Sequence, residues 1–181
     1  LLLRALVMLD PLDQGEIRWK GHLVRCQGIP EFRRAVAYMH QRPSLWEETV
    51  EAALRRPFSL AVYRHRQFDK QRIIDLLEQL GREESFLAKR AGDLSGGEIH
   101  IVALLRGMQL DPTVLLLDEP TAALDPQTAQ AVEKMVEDWV GRGLDRRAVV
   151  WVSHDTQQAR RVAEKTLRIS NGRIEDAGRA S

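Results

Sequence analysis

Three apolar segments of the sequence each run into side chains that could do chemistry. They are 35–39 before Gln41, 114–117 before Asp118 and Glu119, and 148–152 before His154. Each segment has the unbroken apolar character of a strand buried on both faces of a parallel sheet. Because ligands of such sheets bind beyond the carboxyl ends of the strands, these side chains are predicted to meet at one edge.

Asp118 and Glu119 have the chemistry expected of a nucleotide site. An Asp at the carboxyl end of an apolar strand can hold Mg²⁺ against the phosphates of a nucleotide. A neighbouring Glu can act as the base toward the water that attacks a γ-phosphate. Two adjacent carboxylates repel each other, and a bound cation would relieve that repulsion. Taken singly, an Asp-Glu pair before Pro120 is often just a turn, and a His after a strand is more often a helix cap.

The segment Ser95-Gly96-Gly97-Glu98 opens a predicted helix and has two interpretations. Ser95 with Glu98 three residues later is the pattern of a capping box. That pattern does not account for the two glycines, since each costs about 1 kcal/mol relative to alanine in a helix. Glycines here suit a close approach to the backbone, and the N–H groups of a helix N-terminus bind anions. Both interpretations hold if Ser95 caps the empty helix and donates to phosphate when the site is filled.

Hydrophobic periodicity predicts the elements that position these residues. Asp69 and Asp125 are predicted to cap two amphipathic helices. The predicted helices are 1–9, 69–80, 96–109, 126–140 and 155–163. The predicted strands are a pair within 15–24, then 35–39, 114–117, 148–152 and 166–169.

The alternation of apolar strands with helices predicts an α/β fold, with a mostly parallel sheet flanked by helices. Residues from about 49 to 93 differ, because they have a helical pattern, contain no strong strand and carry several arginines. We expect this stretch to form a helical subdomain inserted into the α/β unit.

Length and composition exclude several classes of protein. The 181 residues can bury a substantial core, and 44% hydrophobic with 29% charged residues argues against a disordered chain. A formal net charge of +1 does not indicate a protein that binds nucleic acid through its overall charge. Cys26 is the single cysteine, which excludes an internal disulfide and a cysteine-built zinc site. No apolar run approaches the roughly 18 residues of a membrane-spanning helix.

Four motifs together resemble the nucleotide-binding domain of an ATP-binding-cassette (ABC) protein. They are Leu94-Ser95-Gly96-Gly97-Glu98, the run from Val114 to Thr121, Ala123-Leu124-Asp125 and Val152-Ser153-His154-Asp155. The resemblance covers the chain from Leu1 to Gly172. It implies the ABC ATPase fold, a P-loop NTPase-like sheet with a helical subdomain. A single ABC-type domain would then span 1–181, with a RecA-like core at 1–42 and 94–181 and the helical subdomain at 43–93.

The resemblance implies roles in ATP hydrolysis for four residues. Asp118 would be the Mg²⁺ ligand of the Walker B motif, and Glu119 the catalytic base. His154 would be the switch histidine that contacts the γ-phosphate. Gln41 would be the Q-loop glutamine, which senses Mg²⁺ and water and hinges the helical subdomain. The implied substrate and cofactor are ATP and Mg²⁺.

The resemblance also implies two protein partners. Ser95, Gly96 and Gly97 would form the signature that contacts ATP bound by a second subunit, and Asp125 would lie in the D-loop at that interface. The family works as a head-to-tail dimer with two ATP molecules between the subunits. A membrane permease would dock on the Gln41–Thr49 region and the helical subdomain, which places the protein at the cytoplasmic face of a membrane. No nucleic-acid partner is expected.

The sequence departs from the family pattern in three ways. It contains no G-x-x-x-x-G-K-[ST] phosphate-binding loop, although residues 2–17 resemble the segment that comes directly after that loop in the family. We therefore expect the chain to begin just after the loop and its upstream strands, and not to bind ATP tightly by itself. His100 and Ile101 stand where the family usually carries a Gln-Arg pair, which removes a cation near the sheet edge. Glu98 replaces the commoner Gln, a mild change.

Among ABC proteins the chain most resembles a transporter subunit. Gln41 and Leu94 are 53 positions apart, which suits a compact helical subdomain rather than the long coiled coil of chromosome-maintenance members. The short insert resembles that of small prokaryotic ATPases that export iron or other metals. We expect ATP binding and hydrolysis that power transport across a membrane. Two alternatives are a degenerate, non-hydrolysing cassette acting as a structural or regulatory partner, and a non-transport ABC ATPase acting on nucleic acid or ribosomes.

Overall fold

Helices and strands alternate along the chain much as the periodicity predicts. The computed structural model describes residues 2–143 and 147–179. The helices are α1 (Leu2–Leu6), α2 (Ile29–Ala35), α3 (Val50–Arg55), α4 (Lys70–Gln79), α5 (Gly96–Met108), α6 (Pro126–Gly141) and α7 (Thr156–Val162). The strands are β1 (Arg18–Trp19), β2 (His22–Leu23), β3 (Val36–Met39), β4 (Val114–Asp118), β5 (Ala148–Val152), β6 (Lys165–Ser170) and β7 (Arg173–Arg179).

The central sheet has the order β3-β4-β5 within the described ranges, and all its strands are parallel. β4 lies in the middle, so Leu115 pairs with Ala37 on one side and with Val149 on the other. The predicted parallel sheet is confirmed. Its register also fixes which residues leave the strands at the same level.

Two hydrophobic clusters cover the two faces of this sheet. Leu116 faces the smaller cluster, which includes Leu3 of α1 and Phe32 of α2. Leu115 and Leu117 face the larger cluster, which continues through α5 and α6 into the helical stretch. Because successive residues of a strand point to opposite faces, an unbroken apolar run is what such a doubly covered strand needs.

The stretch from 43 to 93 is helical, as its pattern predicts. It contains α3, α4 and four 3₁₀ turns, and Ile73 and Leu77 of α4 are fully buried in the larger cluster. The buried Gln109, directly after α5, joins α5 to α3. Nε2 of Gln109 donates to the carbonyl of Leu54 at 2.7 Å. The division of the chain at 43 and 93 stays a prediction. No helix in the described residues is both long and apolar enough to cross a membrane.

The N-terminal helix is shorter than predicted. It ends at Leu6 rather than Leu9, because Met8 adopts the left-handed conformation with φ of 57°. Arg33 of α2 binds the chain at this point, with Nε donating to the carbonyl of Val7 at 2.9 Å and Nη2 to that of Met8 at 2.6 Å. A cationic side chain therefore satisfies carbonyl groups that the end of the helix leaves free.

The C-terminal strands also differ from the prediction. β6 is longer than 166–169, and it pairs antiparallel with β7, a strand that the sequence pattern did not predict. Asn171 and Gly172 join the two strands with φ of 49° and 75°, the two positive values that a tight hairpin turn requires. The Asn-Gly pair therefore forms the turn of a hairpin, whereas the sequence pattern predicts only the end of a strand there.

Helix α5 begins with the capping box that Ser95 and Glu98 predict. Oγ of Ser95 accepts from the Glu98 amide at 3.2 Å, and Oε2 of Glu98 accepts from the Ser95 amide at 2.9 Å. Glu98 is buried, and its Oε1 also accepts from Nζ of Lys89 at 2.7 Å. The hydrogen bond from Lys89 outweighs burial and, with the bonds to Ser95, lowers the pKa of Glu98 to about 2.

Acid should remove the contribution of Glu98 to stability. The folded pKa of about 2 lies below the ordinary 4.5, so the contribution is complete above 4.5 and is lost as pH falls toward 2. Glu98→Gln should lower the free energy of unfolding at pH 6 by roughly 2 kcal/mol and flatten its decline between pH 5 and 3. Urea unfolding at a series of pH values measures both effects.

Glu137→Gln is the control for this prediction, because Glu137 is a carboxylate of α6 whose side chain is 74% exposed. It should change neither the stability at pH 6 nor the shape of the pH curve. A Glu98→Gln curve that runs parallel to that of the unmodified protein would show that Glu98 is not the group responsible.

Candidate active site

The register of the central sheet gathers four of the candidate residues at one edge. Asp118 pairs with Val152, and Leu117 pairs with Met39. Gln41 lies two residues beyond Met39, Glu119 two beyond Leu117, and His154 two beyond Val152. Three strands therefore end side by side, each followed at once by a polar side chain.

Glu119 and His154 are in direct contact. Nε2 of His154 lies 2.8 Å from Oε1 of Glu119. The Glu119 side chain is only 15% exposed, whereas that of His154 is 88% exposed. The arrangement gives a shielded carboxylate, which can accept a proton, beside an imidazole that is free to reach a ligand.

The backbone of Glu119 is held in an unusual conformation. Its φ is 49°, in the left-handed region that non-glycine residues rarely adopt. Its amide donates to the carbonyl of Val152 at 3.0 Å, and its carbonyl accepts from the Ala122 amide at 3.2 Å. Such conformations cost about 1 kcal/mol or more and persist where the surroundings enforce them. Here β5 and the following turn supply that enforcement, so the direction in which the Glu119 side chain leaves the backbone is set.

Asp118 has a partner that the sequence did not reveal. The hydroxyl of Tyr38, on β3, donates to Oδ2 of Asp118 at 3.1 Å. Burial, together with the negative charge of Asp118, raises the pKa of Tyr38 to about 12, so the phenol keeps its proton at neutral pH. The bond joins residues 80 positions apart and fixes the direction of one carboxylate oxygen.

The donor chemistry at this edge suits Mg²⁺. Carboxylate and amide oxygens are the protein ligands that Mg²⁺ prefers, and Asp118 and Gln41 supply one of each. Among the described residues no group of three His, Cys, Asp or Glu side chains is arranged to hold a metal alone. Mg²⁺ usually takes only one or two carboxylates and completes its shell with phosphate oxygens and water, so the small donor set fits it.

Gln41 is placed at the edge but not in contact with the acidic residues. It lies in a bend directly after β3, and it is exposed. Within the described part of the chain, no hydrogen bond joins its side chain to Asp118 or Glu119. The neighbouring His40 shapes this bend, because its Nδ1 accepts from the amide of Arg42 at 2.9 Å.

The glycines at the start of α5 have a structural reason within this chain. A Cβ on Gly97 would lie 2.7 Å from the carbonyl oxygen of Ala123, whereas a Cβ on Gly96 would meet only the Ala123 Cβ at 4.0 Å. Gly97 is therefore needed for the approach of the loop before α6. Ser95 and Gly96 are exposed, so the N-terminus of this 13-residue helix stays accessible.

Asp125 caps α6 as predicted. Its Oδ1 accepts from the Thr128 amide at 2.9 Å, and its Oδ2 from the Thr128 hydroxyl at 2.6 Å. These hydrogen bonds from Thr128 lower the pKa of Asp125. The residue is exposed and lies two positions beyond Ala123, so it is on the same side as the start of α5.

The two residues that depart from the family pattern have defined places. His100 is buried, and its Nδ1 lies 3.3 Å from the carbonyl oxygen of Pro120, directly after Glu119. Ile101 is 1% exposed in the larger hydrophobic cluster. The sequence pattern indicates no role for His100, since nothing in its spacing shows that α5 contacts this loop.

A family model and individual relatives identify the same protein family. A family model described as ABC transporter matches residues 1–122. The probable iron export ATP-binding protein FetA of Escherichia coli (strain K12) is 34% identical over 178 residues, which is 97% of this chain and 76% of that protein. The tungstate uptake system ATP-binding protein TupC of Peptoclostridium acidaminophilum is 30% identical over 180 residues, 97% of this chain and 78% of that protein.

A solved structure shows the same fold. It is a dimeric post-hydrolysis state of an ATP-binding cassette bound to ADP and Pi, with a TM-score of 0.85 and 24% identity. The match covers 99% of this chain and 79% of that one. The predicted α/β fold with a parallel sheet and flanking helices is thereby confirmed.

Substitution of the two glycines should separate their structural roles. Gly97→Ala forces a Cβ against a backbone oxygen and should lower the free energy of unfolding by about 1–3 kcal/mol. Gly96→Ala meets only an ordinary contact and should be neutral or stabilising by up to about 1 kcal/mol. Denaturant unfolding of the two variants measures the difference. Equal losses would mean that the Ala123 carbonyl does not determine the requirement for glycine.

Proposed function

The chain belongs to the ABC transporter family, and we propose that Glu119 and His154 carry out the ATP hydrolysis by which its members power transport across a membrane. The observation that carries this proposal is the contact of 2.8 Å between Glu119 and His154, directly beside Asp118 at the end of the sheet. A shielded base, an exposed imidazole and a carboxylate suited to a metal ion are the parts that attack of water on a γ-phosphate needs.

In the proposed reaction Glu119 acts on the water. Its carboxylate accepts a proton from the water while the water oxygen bonds to the γ-phosphorus and the bond to the β-phosphate oxygen breaks. The left-handed backbone and the bond to Val152 hold Glu119 in one direction, so little rearrangement is needed before the reaction. His154, which starts in contact with Glu119, reaches from its exposed position to the γ-phosphate.

Asp118 and Gln41 are the residues proposed to hold Mg²⁺. A bound ion would supply positive charge that offsets the negative charge developing on the phosphates during hydrolysis. Tyr38 supports Asp118 by donating to Oδ2, which fixes that carboxylate. Gln41 follows β3 on an exposed bend, which leaves it free to move toward a bound nucleotide.

A second copy of the cassette is the proposed partner for the signature residues. Ser95 and Gly96 are exposed at the N-terminus of α5, where backbone N–H groups and the helix dipole favour an anion. Asp125 is exposed beside them. In a head-to-tail dimer this surface would contact ATP held by the other subunit, so that ATP closes the two cassettes and hydrolysis reopens them.

A groove beside the Gln41–Thr49 region is the proposed docking place of a permease. It has a volume of about 710 Å³ and is lined by residues that include Thr49, Ala52 and Ala88. Trp46, two-thirds exposed, lies against the guanidinium of Arg56 at 4.5 Å from the ring centroid. The groove is lined by apolar atoms of Ala52, Leu87 and Ala88 and by charged side chains that include Glu51, Arg55 and Lys70. A lining of this mixed kind suits a short amphipathic helix from a membrane protein, and docking there would hold the chain at the cytoplasmic face of a membrane.

The relatives limit what is proposed about the cargo. One is named for iron export and another for tungstate uptake. The ATP-binding role is common to both names, whereas the cargo and the direction differ. The proposal therefore concerns the ATPase step and not a particular substrate.

Removal of the base should stop hydrolysis without preventing closure. Glu119→Gln in the full-length protein should lower kcat for ATP by about 10²-fold or more, because the amide cannot accept the proton. The variant should still form a dimer when ATP and Mg²⁺ are added, which gel filtration can detect. Glu137→Gln, on the exposed face of α6, should retain full activity.

Removal of the imidazole should also slow hydrolysis. His154→Ala should lower kcat by about tenfold or more, since a donor to the transferred phosphate is lost. Unchanged kcat in this variant would remove His154 from the mechanism, and full hydrolysis by Glu119→Gln would remove Glu119 as the base. An unmodified protein that hydrolyses no ATP in the presence of its permease would be the non-hydrolysing cassette, the alternative that the sequence leaves open.

Filling the groove should block docking and spare nucleotide binding. Ala88→Trp places a large side chain at the exposed lining of the groove, so co-purification with the permease should fall sharply while ATP binding stays unchanged. Lys134→Trp, on the exposed surface of α6, is the control and should co-purify normally. Normal co-purification of Ala88→Trp would place the permease elsewhere.

A further inference from the structure

Gln158 is a buried polar residue for which the proposed hydrolysis reaction has no use. Its relative exposure is 6%, although it lies in the first turn of a short helix at the surface. The preceding residue, Gln157, is exposed. A buried amide loses its hydrogen bonds to water, so it must find protein partners or destabilise the fold.

The Gln158 side chain uses all of its main hydrogen-bonding groups. Nε2 donates to the hydroxyl oxygen of Thr121 at 2.8 Å and to Oε1 of Glu133 at 2.8 Å. Oε1 accepts from Nε1 of Trp151 at 3.3 Å. These contacts tie α7 to the loop after β4, to α6 and to β5.

Gln158 and its partners Thr121, Glu133 and Trp151 form a junction, and Glu133 gives this junction a negative charge. Its side chain is 12% exposed, and Arg161 of α7 binds it through Nε at 3.1 Å and Nη2 at 3.0 Å. Burial alone would raise the pKa of Glu133, but the hydrogen bonds from Arg161 and Gln158 outweigh it and lower the pKa. The carboxylate is therefore ionised at neutral pH, and it requires a donor, rather than an acceptor, at position 158.

The junction lies between the two residues assigned to hydrolysis. Thr121 is two positions after Glu119, and Gln158 is four positions after His154. The amide of Gln158 also donates to Oδ1 of Asp155 at 3.2 Å, next to His154. A shift of α7 relative to the Thr121 loop would therefore change the distance between Glu119 and His154.

We infer that Gln158 is a positioning residue, which holds the turn carrying His154 against the loop carrying Glu119 and against α6. The inference rests on the roles proposed for Glu119 and His154, and it adds the element that keeps them in register. Gln158 contacts neither ATP nor the attacking water. It acts through the relative placement of α7, the Thr121 loop and α6.

An exchange of the Gln158 amide and the Glu133 carboxylate tests this inference in the full-length protein with its permease. Gln158→Glu places a carboxylate against Glu133, and it should lower kcat for ATP by at least about tenfold while KM stays within about twofold. The double variant Gln158→Glu with Glu133→Gln restores one amide and one carboxylate at the junction. It should recover kcat to within about threefold of the unmodified protein.

Gln157→Glu is the matched control, since it adds the same charge to the same helical turn at an exposed position. Hydrogen exchange supplies a readout that does not depend on ATP hydrolysis. Amides of residues 119, 121–124 and 153–156 should exchange faster in Gln158→Glu, return to normal in the double variant, and be unaffected in Gln157→Glu. If Gln158→Glu does not fold, Thr121→Val removes one acceptor alone and should give the same changes at smaller size.

The outcomes separate this inference from the proposed function. Normal kcat and normal exchange in Gln158→Glu, or no recovery in the double variant, would overturn the positioning role. Full hydrolysis by Glu119→Gln would overturn the proposed function, and the exchange results would still show whether Gln158 holds the two segments together.

Discussion

The parallel pairing of β4 with both of its neighbours is the constraint on which the candidate site depends. β4 has no polar residue before Asp118, so burial on both faces drives it to the centre of the sheet. Its register with β3 and β5 then decides that Asp118, Glu119 and His154 leave the sheet together. A slip of one residue would turn Leu116 to the wrong cluster and move every polar residue away from its partner, so core packing and site geometry are specified by the same contacts.

The loop from Glu119 to Asp125 turns this register into a defined geometry. Three elements contact it from different sides: α5 through the carbonyl of Pro120 and the close approach at Gly97, α7 through Thr121, and β5 through the amide of Glu119. Leu124 of the loop also packs against the larger hydrophobic cluster, so polar bonds, one steric fit and this apolar contact together determine its path. His100, which stands outside the usual family pattern, therefore has a structural use here, because it contacts the carbonyl of Pro120 in this loop.

Local patterns predicted the elements, and the contacts between distant residues remained hidden. The apolar runs, the capping box of Ser95 and Glu98 and the caps at Asp69 and Asp125 are properties of neighbouring residues, so the sequence could predict them. The bond between Tyr38 and Asp118 joins positions 80 apart, and no local rule selects a phenol for that strand. Gln158 and Gln157 are adjacent and chemically identical, and only the packing of α7 decides which of them is buried. The hairpin of β6 and β7 was missed because the charged residues of β7 weakened its strand pattern.

The free edge of β5 is unusually apolar. It is the outermost strand of the central sheet in the described residues, yet its five residues are all apolar, and Val150 is 41% exposed. Natural edge strands usually carry lysine, proline or a bulge, which discourage pairing with other molecules, and β5 has none of these. An apolar edge strand of this kind presents backbone N–H and C=O groups that can pair with a further strand. A strand paired along this edge would therefore satisfy the free backbone groups of β5 and shield its apolar side chains at the same time.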